Sequence, residues 1–98
     1  IYYSLDSRAL LLKTYYQLNN FESALSLINS FKIFLKRDKK ISEYQNITYS
    51  NFLKIALQLV QLQLGYKRDI NKVDLKLKNT QQIADSTWLQ EKVNELKI

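Results

Sequence analysis

The sequence contains no Cys, no Pro, no His and no Met, and its single Gly is Gly65. Each absence excludes something. Without Cys there is no disulfide framework and no thiolate metal site. Without His or Cys, nucleophile–base pairs of the Ser–His and Cys–His kind are ruled out, and zinc loses its usual ligands. Phosphate-cradling loops need clustered Gly, and Gly65 stands alone. Hairpin-rich β architectures draw on Gly and Pro for their turns. Their scarcity fits helices joined by short loops capped by Asn, Asp and Ser. No apolar run approaches the ~18 residues that a membrane-spanning helix needs. Ile1 to Leu12 lacks the basic start and small-residue cleavage site of a signal peptide. The compartment stays open, with the cytoplasm slightly favoured. The chain opens on Ile1, so we read it as an excised or processed piece of a longer one.

What is present is ordinary for a soluble globular chain: 98 residues, 46% apolar and 24% charged. That length suffices for one domain with one modest core. Lys outnumbers Arg twelve to three, and Leu, Ile, Asn, Gln, Ser and Tyr are abundant. This bias points to an AT-rich bacterial genome. The nine acidic residues form no evident pair across a cleft. Glu91 and Glu95 sit at i, i+4 with Lys92 beside them, which reads as a solvated helix end. We therefore expect no catalytic residue, no cofactor and no metal.

The expected fold is all-α, with about five helices in antiparallel hairpins. A first helix is expected from about Leu5 to Leu18, started by Ser4 or Asp6 and stopped by Asn19-Asn20. It carries two apolar stripes: Leu5, Ala9, Leu12 and Tyr16, and Leu11, Tyr15 and Leu18. A second helix should run from Phe21 to Arg37, capped by Asn20, burying Phe21, Ala24, Leu25, Ile28, Phe31 and Leu35. Ser42 and Gln45 fit a capping box for a third helix reaching about Tyr66, ~37 Å long. Its apolar positions cover more than half the helical wheel, so it should be central, with neighbours on two sides. Gln63 breaks that apolar arc. Beyond it, Asp69 can cap a helix carrying Ile70, Val73 and Leu77, and Ala84-Asp85-Ser86 reads as a break before a final helix. One continuous helix from Ile70 to Leu96 is the alternative. Leu75-Lys76-Leu77-Lys78 alternates like a strand, but helical flanks favour a packed helix.

The stretch Ser7 to Lys36 resembles one tetratricopeptide repeat, a helical-hairpin unit of ~34 residues. The resemblance rests on Phe21-Glu22-Ser23-Ala24-Leu25, with Leu11 and Tyr15 at large apolar positions of the first helix. Ala24 stands where the two helices of such a unit cross closely. The chain departs from the pattern at Arg8, Leu12, Phe31 and Lys36, where the family commonly has a Trp-like residue, Gly or Ala, Ala and Pro. Residues from Ser42 onward do not repeat it. The resemblance implies a hairpin over residues 1–40, with a long central helix and C-terminal helices over 41–98. The whole would be the end piece of an α-solenoid in a large bacterial protein. It implies a non-catalytic scaffold or cap binding a protein or peptide partner, packed against preceding repeats. Carried over by alignment, Ala9, Lys13, Tyr16 and Gln17 would face the partner groove; otherwise Tyr16 is core and Lys13 solvated.

The net charge of +6 gathers at two junctions. Lys36, Arg37, Lys39 and Lys40 surround the end of the second helix, and Lys67 and Arg68 precede the fourth. These six can form an anion or nucleic-acid patch if they converge on one surface. Otherwise the first run simply meets the negative end of a helix dipole. Tyr15, Tyr49 and Tyr66 fall on apolar arcs and are expected in the core, rather than on a base-stacking platform. Tyr2 and Tyr3 would pack on a preceding repeat, and uncovered they favour self-association. A regulatory appendage to a domain elsewhere in the parent chain is a third reading.

Overall fold

The computed structural model describes residues 5–97. The Ser4 cap and the Tyr2–Tyr3 face lie outside them. The described residues form five helices and no strand: α1 Leu5–Gln17, α2 Phe21–Arg37, α3 Glu43–Gln63, α4 Ile70–Lys78 and α5 Ser86–Leu96. The all-α expectation holds, and Ile70 to Leu96 is two helices, not one.

Most helix ends follow local chemistry, although Asn20, in place before α2, makes no side-chain capping hydrogen bond. Asn19 takes φ 59°, the left-handed conformation, at the end of α1. The Asn20 N–H then donates to Tyr15 O at 2.8 Å and the Asn19 N–H to Tyr16 O at 3.0 Å, which is a Schellman stop. The same motif ends α3. Gly65 has φ +97°, and the N–H groups of Tyr66 and Gly65 donate to Gln61 O and Leu62 O. The helix therefore stops at Gln63, short of the expected Tyr66. The Ser42 hydroxyl accepts from the Gln45 N–H, and the Gln45 side chain accepts from the Ser42 N–H, completing the capping box. Asp69 caps α4 through the Asn71 N–H at 2.9 Å.

The helices pack around α3. The Tyr49 hydroxyl, early in α3, donates to Asp6 at 2.6 Å, and Gln63, at its end, donates to the Tyr16 hydroxyl at 3.1 Å. These two bonds make α1 and α3 parallel, with α2 returning between their ends. Gln63 interrupts the apolar arc because it serves Tyr16. α2 packs on one side of α3, while α4 and α5 pack against α3 and against each other. α4 starts beside Gln61, which accepts from Arg68, and runs back until Asn51 donates to Gln82 O.

The core takes Leu5, Ala9, Leu12 and Tyr16 from α1, and Ala24, Ile28, Phe31 and Leu35 from α2. Phe52, Leu59 and Val60 of α3, Leu77 of α4, and Leu89 and Val93 of α5 complete its centre. Phe21 and Leu25 are only partly buried. The second stripe of α1 divides: Tyr15 packs half-buried on the core, while Leu11 is 42% exposed and Leu18 70%. The hairpin sits at the edge of the molecule, so only one of its apolar arcs is fully covered. Tyr66, expected inside, is exposed because it follows the Gly65 stop.

Candidate functional site

The four positions aligned with a partner groove divide between core and surface. Ala9 and Tyr16 are buried with Leu5 and Leu12. Helical geometry requires this, since all four lie on one stripe. Tyr16 stacks edge-on with Phe21 and Trp88, at ring separations of 5.3 and 5.4 Å. Burial pushes its hydroxyl pKa up. Lys13 and Gln17 stay at the surface, where they line an apolar hollow of about 380 Å³ with Leu10, Thr14, Leu18 and Trp88. Lys13 also pairs with Asp85 at 3.3 Å.

A second hollow, about 550 Å³, lies along the outer face of the α1–α2 hairpin. Leu11, Tyr15 and Leu27 give it an apolar wall, and Ser23, Ser26 and Ser30 a small polar one. The two hollows flank α1. Their shared rim along α1 carries Leu10 and Leu18, which line the first hollow and are 62% and 70% exposed, and Leu11, which lines the second and is 42% exposed. The stripe Leu11, Tyr15 and Leu18 was visible in the sequence; that Leu11 and Leu18 point outward while Tyr15 stays half-buried was not. Arg8 lies on the same hairpin with its guanidinium 3.8 Å from the centre of the Phe34 ring, a cation–π contact.

The two basic runs do not converge. Lys36, Arg37, Lys39 and Lys40 lie where α2 meets α3, and Lys67 and Arg68 where α3 meets α4. The 21 residues of α3 put ~30 Å between these ends. Asp38 is engaged locally, its carboxylate accepting from the Lys40 N–H at 2.9 Å. Lys67 and Arg68 instead share a hollow of about 300 Å³ with Gln58, Asp69, Lys72 and Lys76. Sequence reasoning missed Lys72 and Lys76; their i, i+4 spacing just after Arg68 was the available signal.

One ionic cluster, with Asp74 buried and its lysines reaching solvent, ties the C-terminal helices together. Asp74 accepts from Lys97 at 2.8 Å, Gln90 at 2.8 Å and Lys78 at 3.0 Å. These donors, Lys97 foremost, hold its carboxyl well below the usual range. Each of its partners is committed, so the cluster reads as a structural tie between α4 and α5. Among the described residues, no three acidic side chains gather as metal ligands, and no helix is long and apolar enough to cross a membrane.

The fold and these surfaces define the chain as an all-α helical protein with concave hollows at its edge. No protein-family model, curated protein or solved structure matches it.

Proposed function

We infer that this chain is a non-catalytic helical interaction module, the end piece of a tetratricopeptide-like scaffold, whose hairpin face docks a protein partner. The observation that carries the reading is the outward side of α1. Leu10, Leu11 and Leu18 project there along the rim shared by two hollows, while the opposite face is buried. A helix laid along such a rim would bury its own apolar stripe in either hollow. Large exposed apolar positions grouped on one element mark interaction surfaces. The ~30 Å between the basic runs weighs against a nucleic-acid surface built from both.

Site-specific photo-crosslinking tests the reading. A crosslinker replacing Leu11 should capture one protein species in the native cell, identified by mass spectrometry. Ser26→Arg should abolish capture, and a crosslinker at the exposed but distant Leu75 should capture nothing comparable. Nucleic acid attached at Leu11, or equal capture from both positions, overturns it.

A further inference from the structure

The three charged residues of α1 all turn toward the rest of the molecule. Asp6 accepts from the Tyr49 hydroxyl, Arg8 stacks its guanidinium on the Phe34 ring, and Lys13 pairs with Asp85. The outermost stripe of the helix is left without charge: Ser7, Leu11, Thr14 and Leu18, all exposed. Leu18 keeps its place on the stripe because its N–H still donates to Thr14 O at 3.0 Å. The Thr14 hydroxyl donates to Leu10 O at 2.8 Å, so Thr14 presents its methyl group and can be covered without losing a hydrogen bond. The exposed faces of the other helices each carry charge, among them Lys36 on α2, Lys54 on α3, Lys72 on α4 and Glu91 on α5.

Along the stripe the spacings are four, three and four residues, the repeat of a helix that pairs along a seam, and small alternates with large. That alternation is complementary to its own reverse. With a second α1 laid antiparallel and Leu11 opposite Thr14, Leu18 falls opposite Ser7, and both matches recur across the two-fold axis. Every leucine then meets a small residue, which is how facing layers interdigitate. A parallel copy would set leucine on leucine and leave gaps at Ser7 and Thr14. Charge selects the same contact. In a two-fold interface residues near the axis meet their own kind, so a chain of net charge +6 repels itself wherever a charged face is used. The bare stripe of α1 brings no like charges together.

We propose that α1 pairs with the α1 of a second copy of this chain, antiparallel about a two-fold axis. The pairing rests on the outer face of α1 being the docking surface, and it names what docks there. On the flank of the seam, Leu10 of the second copy falls beside Gln17 and enters the apolar hollow that Gln17 lines. The chain has no Cys, so introduced thiols report contacts cleanly. A mixture of Ser7→Cys and Leu18→Cys chains should form a disulfide-linked dimer under mild oxidation. Leu18→Cys alone should not, because its two thiols lie ~16 Å apart along the seam, beyond disulfide reach. Sedimentation should show a monomer–dimer equilibrium. Thr14→Lys should weaken it roughly tenfold or more. Thr14→Val, of the same shape, should change it less than about twofold, with helix content unchanged in both. A disulfide dimer from Leu18→Cys alone, or equal losses from Thr14→Lys and Thr14→Val, overturns the pairing. Association that depends on Leu11 and Leu18 but yields no mixed disulfide overturns the pairing and leaves the docking face standing. A chain that never associates fails both.

Discussion

Ala24 shows how much a single position carries. It is fully buried where α2 meets its neighbours. Ala24→Leu should destabilise the chain by about 1–3 kcal/mol through overpacking, read as a lower urea midpoint with an unchanged slope. Tyr49 is a different case. Burial, then its hydrogen bond to the Asp6 carboxylate, raises its hydroxyl pKa above the ordinary 10.0. A raised folded-state pKa leaves stability intact below the ordinary value and removes it as pH climbs past it. Tyr49→Phe should therefore unfold less steeply than the native chain in alkali above about pH 10. Arg8 and Lys92 place cations over Phe34 and Trp88, so two charged residues serve packing as well as solvation.

At the scale of the element, caps decide where helices stop. A Cβ at Gly65 would meet only open space, yet the φ of +97° disfavours any side chain. Gly65→Ala should cost about 1 kcal/mol through backbone strain alone, measured by thermal or urea unfolding. Much of this level was legible in the sequence. The Ser42–Gln45 box, the Asn19 stop, the Asp69 cap and the break at Asp85 each rest on local chemistry that a short window contains. The apolar pattern carries α3 past its true end because Leu62 and Leu64 continue it up to the Gly65 stop. The fate of Leu11 and Leu18 was not legible. Periodicity marks an apolar arc but does not say whether another helix covers it. The same limit divides Ala9 and Tyr16 from Lys13 and Gln17: alignment groups four positions that the helical wheel separates. The cationic hollow was half visible, because Lys67, Arg68, Lys72 and Lys76 are close in sequence, whereas Gln58 joins them only once α4 folds back on α3.

For the whole molecule, α3 is the axis against which α2, α4 and α5 pack, and α1 meets α5 through Tyr16 on Trp88. Asp74 fastens α4 to α5. Its folded-state pKa is depressed below the ordinary 3.8, so its contribution is present above that value and is lost as pH falls further. Asp74→Asn should lower the melting temperature at neutral pH, and the gap to the native chain should close as pH drops below about 4. A gap constant with pH would mean the carboxylate's charge is not what holds α4 to α5.

If the outer face of α1 is an open docking surface, its bare apolar ridge should meet its own copies at high concentration when no partner covers it. Sedimentation of the purified chain over a wide concentration range tests this most directly. Reversible association is expected, removed by Leu11→Lys with Leu18→Lys and left intact by Leu75→Lys, with helix content unchanged in every variant. A chain that stays monomeric at its highest soluble concentration, or associates regardless of Leu11 and Leu18, contradicts an open docking face on α1.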